Sequence, residues 1–219
     1  MIGLGVVTVP SRRDYMVHVR AGIEAHLVED GVDLVLVHTD TDGQGVAVAK
    51  NALLHQMLEA GCDWLFLSED DVVVKDRRAV TGYIDACEHS GYGHLMFHAH
   101  GSQNPAPLRA NGPVTEWPSY VGAWCIYSRE SLLVCGLFDE GFRNAWEHVE
   151  HSLRLAAAGF TAPWRGAADA TGSEEWLEEI PGSIEQSVIR RSGRWGANVA
   201  AGCDHWRQAH PDTYRLVFG

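Results

Sequence analysis

Three adjacent carboxylates, Glu69, Asp70 and Asp71, follow the apolar run Trp64-Leu65-Phe66-Leu67 and precede Val72-Val73-Val74. Ionised side by side, they repel one another unless positive charge is brought among them. A hard divalent ion, Mg²⁺ or Mn²⁺, supplies that charge, because such ions take carboxylate oxygens and keep positions open for substrate phosphates. On an extended chain Glu69 and Asp71 point the same way, which makes them the candidate metal pair. A solvated acidic turn is the plainer alternative.

The second chemical segment is Trp146-Glu147-His148-Val149-Glu150-His151-Ser152-Leu153-Arg154. On a helix, Glu147, Glu150, His151 and Arg154 fall at i, i+3, i+4 and i+7 and share one face. Val149, Leu153 and Ala156 lie on another face and can anchor the helix in a core. Carboxylates and imidazoles in this pattern suit proton transfer. Two His beside two Glu also invite a zinc-hydrolase reading. The order His148-Val149-Glu150-His151 is neither His-Glu-x-x-His nor His-x-x-Glu-His, so that reading is set aside.

Positioning elements are readable around both segments. Residues 2–9 form a β-rich run, and Ser11 with Asp14 three residues later resembles a helix-starting capping box. Helical spacing continues through Met16, Val19, Ile23 and Leu27. Residues 32–37 are continuously apolar, as a buried parallel strand requires. A polar turn over 38–45 leads to a helix over 46–60 and a third strand over 63–67 that ends at the acidic triplet. This β-α-β-α-β order predicts a parallel sheet covered by helices, with its ligand site at the carboxyl ends of the strands. Later segments are less regular: a helix over 78–90, strands over 94–99 and 121–128, a helix over 147–158 stopped by Gly159, and two short helices over 183–194 and 196–210. Residues 101–118 read as a functional loop.

The chain has 219 residues, enough for one sizeable α/β domain, with 46% apolar and 21% charged residues. A formal charge of −12 disfavours general binding to nucleic-acid backbones, although Arg190, Arg191 and Arg194 lie close together. The five cysteines are far apart and form no Cys-x-x-Cys pair, so they are expected to be reduced thiols. Residues 1–10 read as a core strand rather than a signal peptide, and no run approaches the roughly 20 apolar residues of a membrane span. A soluble, cytoplasmic protein is expected (host cytoplasm if the source is viral).

Taken in order, the motifs resemble the GT-A glycosyltransferases, in particular the large inverting family typified by bacterial family-two enzymes. The pieces are Gly5-Val6-Val7-Thr8-Val9-Pro10-Ser11-Arg12-Arg13, Gly45-Val46-Ala47-Val48-Ala49-Lys50-Asn51-Ala52-Leu53, Leu65-Phe66-Leu67-Ser68-Glu69-Asp70-Asp71-Val72, Gly136-Leu137-Phe138-Asp139-Glu140-Gly141-Phe142 and the segment from Trp146 to Leu155. They cover about residues 1–165. The resemblance implies a single α/β domain with a mostly parallel, Rossmann-like central sheet. Residues 1–100 would be its nucleotide-sugar half and 101–219 its acceptor and catalytic half. It implies a nucleotide-diphosphate sugar as donor, a divalent metal (Mn²⁺ or Mg²⁺) as cofactor and transfer to an acceptor hydroxyl with inversion.

Roles follow residue by residue. Thr8, Pro10, Ser11 and Arg13 belong to the loop that holds base and ribose, Asp40 contacts the base, and Lys50 reaches ribose or diphosphate. Asp70 is a further candidate for binding the donor. Asp71 matches the last Asp of the family's Asp-x-Asp motif, and Glu69 replaces the first. His205 is a candidate third metal ligand. Where the family commonly has Glu-Asp, this chain has Glu147-His148. The base is therefore one of Glu147, His148 and Glu150, with Glu147 preferred and Glu150 or His151 assisting acceptor or metal. Trp117, Tyr120, Trp124, Trp146 and Trp164 are candidate sugar platforms. Of these Trp124 and Trp146 lie near the presumed acceptor cleft, where His151 joins them. The acceptor is expected to be a protein or glycan. A non-catalytic nucleotide-sugar-binding protein and a viral-type transferase acting on hydroxymethylated DNA bases are the alternatives.

Overall fold

A computed structural model describes residues 1–28, 31–99, 106–163 and 165–219. In chain order its first half contains β1 (Ile2–Thr8), α1 (Arg13–His26), β2 (Leu34–Thr39), α2 (Val46–Glu59), β3 (Trp64–Glu69), β4 (Val72–Val74), α3 (Thr81–Ser90) and β5 (His94–Met96). There follow β6 (Arg109–Asn111), β7 (Val114–Trp117), β8 (Trp124–Ser128), α4 (Arg129–Cys135) and α5 (Glu147–Ala157). The chain ends with β9 (Ala167–Ala170), β10 (Leu177–Glu179), α6 (Val188–Arg191), α7 (Trp195–Ala209) and α8 (Pro211–Phe218).

The main sheet has the order β2-β1-β3-β8-β5. Strand β1 runs parallel to β2 and β3, whereas β8 runs antiparallel to β3 and β5. Successive side chains of a strand point to opposite faces, and both faces of this sheet are covered. Leu4, Val6, Phe66 and Ile126 pack against Met16, Val19 and Ile23 of α1 and Tyr83 of α3. Val7, Leu65, Leu67 and Tyr127 pack against Leu53, Leu54 and Met57 of α2, Leu132 of α4 and Leu155 of α5. A third cluster, Phe142, Leu153 and Trp206, docks the C-terminal helices onto α5.

Four expectations are corrected. Strand β2 is an edge strand, so its apolar run is half open to solvent, with Val35 and Val37 each 40% exposed. Ser11 makes no cap; residues Pro10–Arg12 form a 3-10 turn and α1 starts behind it with no side-chain cap. Part of the expected loop is the β6–β7 hairpin, which turns through Gly112 at φ 62 and joins β9 in a second sheet. Helix α8, which the sequence reading did not anticipate, follows α7 at Pro211, a residue suited to a helix's first turn. All five cysteines are free thiols. Among the described residues no helix is long and apolar enough to cross a membrane.

Candidate active site

Register places the business end of the sheet. Thr8 pairs with Thr39 and Val7 with Glu69, so β1, β2 and β3 end together at one edge. Two clefts open there. The first, about 380 Å³, is lined by Thr8, Val9, Arg12, Asp40, Glu69 and Asp70 on one side and by Arg143, Asn144, Ser187 and Arg194 on the other. The second, about 330 Å³, is lined by Glu69, Asp71, Tyr120, Trp146, Glu147, His148 and Trp195. Glu69 faces both, and its side chain is 31% exposed.

Beneath the clefts the carboxylates are held by two cations. Arg12 donates from Nη1 to Asp70 Oδ1 at 2.7 Å and from both terminal nitrogens to Asp71 Oδ2 at 3.3 Å. A further bond from Arg12 Nη2 to the Ser183 carbonyl (2.9 Å) ties the 180s segment over this edge. Thr8 Oγ1 donates to Asp70 Oδ2 at 2.7 Å. Burial nonetheless wins at Asp70: it raises the pKa to about 6, with the Thr8 hydrogen bond and Arg12 pulling down only in part. Lys50, 1% exposed, donates to Glu69 Oε1 (3.1 Å), Glu147 Oε1 (3.3 Å) and the Gly122 carbonyl (3.2 Å). Burial opposes the Lys50 charge, but Glu69 and Glu147 more than offset it and raise its pKa.

The four carboxylates Glu69, Asp70, Asp71 and Glu147 outnumber Arg12 and Lys50, the two cations hydrogen-bonded to them, and Arg190 also lines the second cleft. The oxygen-only donor set of Glu69 and Asp71, both lining the second cleft, is what a hard ion takes. These residues fit such an ion.

Helix α5 begins at this point. Burial works against ionisation of Glu147, yet Lys50 and the His148 ring beside it hold its pKa down at about 2. His148 Nδ1 lies 3.2 Å from Glu147 Oε1, and its side chain is 24% exposed toward the second cleft. Because Glu147 is an ionised acceptor, Nδ1 is the donor in this pair, and in the neutral ring the lone pair is on Nε2. Gly122 makes room for this ring: a Cβ there would meet His148 Cγ at 2.8 Å. Trp146, at φ 74, turns the chain into α5 and donates from Nε1 to the Val199 carbonyl at 3.2 Å.

Several expected site residues lie elsewhere. Lys50 is buried beneath the clefts rather than open to the donor side. Glu150, fully buried, receives Arg154 Nε at 2.9 and 3.0 Å and lines neither cleft. His151 is buried against Tyr127 and Phe138, with Nε2 on the Gly136 carbonyl at 2.9 Å. Trp124 is a core residue packed on Phe66. Trp117 stacks on His98. Pro10 and Arg13 line a neighbouring groove beyond β1, and Ser11 is exposed in the 3-10 turn. Asp40 stays at the first cleft, but both its oxygens accept backbone N–H groups, from Gln44 and Gly45. His205 is not with Glu69 and Asp71. Helix α7 lines the clefts with Trp195, Asn198 and Val199. A rise of about 1.5 Å per residue carries His205 about 9 Å past Val199, to Asp139 and His210. Trp164 lies outside the described residues.

Sequence reasoning gave no individual role to Arg12, Arg143, Asn144 or Trp195, and named Arg194 only as part of a basic cluster. Arg12 had a signal, a tandem arginine directly after the first strand; the 3-10 turn decides which of the two faces inward. The others come from loops and helix ends, where no period marks the inward face.

No protein-family model matches the sequence, and no curated protein matches it. Solved structures do. Drosophila β1,4-galactosyltransferase 7, solved as a mutant with manganese, UDP-Gal and xylobiose, aligns with a TM-score of 0.57 at 14% identity, over 84% of this chain and 73% of that one. S. aureus TarS in complex with UDP aligns at 0.53 and 11% identity, over 71% and 55%. The mannosyltransferase PcManGT from Pyrobaculum calidifontis, with GDP-Man and Mn²⁺, aligns at 0.52 and 13% identity, over 74% and 55%. The chain therefore has the GT-A glycosyltransferase fold, a mixed α/β layer structure around a mostly parallel central sheet. It spans about half the length of the TarS and PcManGT chains.

Proposed function

We propose that this chain is a metal-dependent transferase that moves a sugar from a nucleoside-diphosphate sugar to an acceptor hydroxyl, with inversion at the anomeric carbon. The observation that carries it is the pair of clefts meeting at Glu69, one cationic on its outer rim and one bearing a polarised imidazole. The complexes of the structural neighbours with UDP, UDP-Gal and GDP-Man support the same substrate class.

The first cleft takes the donor. Arg143 and Arg194 on its rim suit a diphosphate, and Asp40 marks the end toward the base. Glu69 and Asp71 hold the divalent ion, which when bound supplies positive charge to the departing diphosphate. The second cleft takes the acceptor between Tyr120, Trp146 and Trp195, whose rings suit sugar faces. His148 Nε2 removes the acceptor's hydroxyl proton as its oxygen bonds to the anomeric carbon, and the bond from that carbon to the phosphate oxygen breaks with its electron pair. Glu147 orients the ring and stabilises the imidazolium; its depressed pKa makes it a poor base itself. Entry of donor and acceptor from opposite sides of Glu69 favours single displacement, hence inversion.

Calorimetry with UDP- and GDP-sugars, with and without Mn²⁺, tests the binding step, and release of nucleoside diphosphate tests turnover. Asp71→Asn is expected to abolish the Mn²⁺-dependent part of binding. His148→Ala is expected to lower turnover by roughly 10²–10⁴-fold with donor binding intact. If no nucleotide sugar binds under any condition, the proposal fails.

A further inference from the structure

Away from both clefts, three side chains from separate parts of the chain converge on one oxygen. His205 Nε2, from α7, lies 2.8 Å from Asp139 Oδ2. His210 Nε2, from the joint between α7 and α8, lies 2.7 Å from the same atom. The three ligand atoms lie within 4.8 Å of one another, and each side chain is about a quarter to a third exposed. We infer that Asp139, His205 and His210 form a second metal site, selective for a borderline d-block divalent ion such as Zn²⁺, that fastens the two C-terminal helices to the loop before α5.

The donor set points to the ion. Two imidazoles and one carboxylate suit Zn²⁺ rather than the hard ions favoured by Glu69 and Asp71. The four residues between His205 and His210 match the spacing of paired zinc histidines. Asp139 is already presented as a single-oxygen ligand, because Gly141 N–H holds its Oδ1 at 2.8 Å and leaves Oδ2 to the rings. Gly141 is required by the approach of His205: a Cβ there would meet ring atoms at 2.2 Å. Phe142 fixes both rings, edge-on to His205 and stacked on His210.

The surrounding shell adds an independent observation. His210 Nδ1 faces Glu150 Oε1 at 3.4 Å, and Glu150 is fully buried. With an ion at Nε2, Nδ1 carries the proton and donates it to Glu150. That is the carboxylate–histidine–metal arrangement of zinc sites. Admitting the ion requires each nitrogen to withdraw from Oδ2 to about 3.4 Å, the edge of a tetrahedron with bonds of about 2.1 Å.

The experiment uses the full chain without nucleotide, so its outcome is independent of the transferase proposal. Zn²⁺ is added after chelator treatment, and bound metal is measured by equilibrium dialysis. Co²⁺ is used in parallel for its visible absorption. One equivalent of zinc is expected, with a rise in Tm and an intense four-coordinate Co²⁺ spectrum. His205→Ala and His210→Ala should each lose that spectrum. Glu150→Gln should weaken zinc binding roughly 10–100-fold while the protein stays folded. Asp71→Asn should retain the zinc. Substoichiometric binding by the wild-type chain, or binding that survives His210→Ala and Glu150→Gln unchanged, overturns the inference.

Discussion

The floor of the two clefts and their outer wall are built by opposite means. The floor is charge: Lys50, Asp70, Asp71 and Glu147 are all under 5% exposed and pinned to one another or to Arg12. The wall is the start of α7 with α8 packed behind it; aromatic packing joins the two helices, and the Asp139–His205–His210 cluster ties them to the loop before α5. Trp206 is the wall's one fully buried ring, while Trp195 and Phe218 remain 39% and 45% exposed. Buried ion networks fix geometry at a high cost in desolvation, so they tolerate no missing partner. Aromatic pairs are worth less each and tolerate displacement. The floor is thus the part suited to holding reacting groups in place, and the wall the part suited to opening for substrate.

Removing a cation from the floor tests this contrast most severely. Lys50→Met leaves Glu69 and Glu147 facing each other without the ammonium between them. A loss of about 3–5 kcal/mol in unfolding free energy is expected, read by urea denaturation. A loss below about 1 kcal/mol would mean that the carboxylates are not held by charge, and the comparison collapses.

Behind the floor, His94 joins the sheet to α5: Nδ1 meets the Ile126 carbonyl at 2.9 Å and Nε2 meets Ser152 Oγ at 3.1 Å. Burial drives its pKa from 6.5 to about 4, against a small pull upward from the Ile126 carbonyl. Between these values the unfolded chain binds more protons than the folded one, so this residue's contribution is whole above pH 6.5 and is lost as pH falls to 4. The stability gap between wild type and His94→Gln should therefore shrink by about 3 kcal/mol over that window. A gap independent of pH would show that the ring is not buried neutral.

The contrast also explains what was readable in advance. The β1–α1–β2–α2–β3 frame was legible because each segment carries its own period and the helices and strands alternate. The acidic triplet was legible because it directly ends a strand. In α5 the spacing correctly put Glu147, Glu150, His151 and Arg154 on one face. It could not say that this face turns into the core, leaving His148 toward the second cleft. Trp124 was misplaced for a related reason: alternation assigns a strand residue to a face, but which layer covers that face is a tertiary fact. The wall was least legible, since α8 and the inward side of α7 depend on docking to Phe142 and Trp146 rather than on local pattern.

A milder probe of the floor is Thr8→Val, which keeps the shape and deletes the 2.7 Å bond to Asp70. About 1.5 kcal/mol of stability should be lost at pH 8, because a hydrogen bond to an ionised, buried acceptor goes with it. The loss should diminish below pH 6, where Asp70 takes up a proton. A pH-independent loss would place the effect in packing instead.

The smallest effect is expected at the wall. Phe218 touches Trp146, Trp206 and Tyr214 at ring-centroid distances of 5.6, 5.7 and 4.9 Å. Phe218→Ala should cost about 1 kcal/mol, since the ring is half exposed and its pairs are each weak. The informative readout is where the cost falls. If the wall opens separately from the floor, amide exchange should quicken in α7 and α8 while β1 and β3 keep their protection. Equal loss of protection in the sheet would show that floor and wall unfold as one unit, and substrate entry would then require another route.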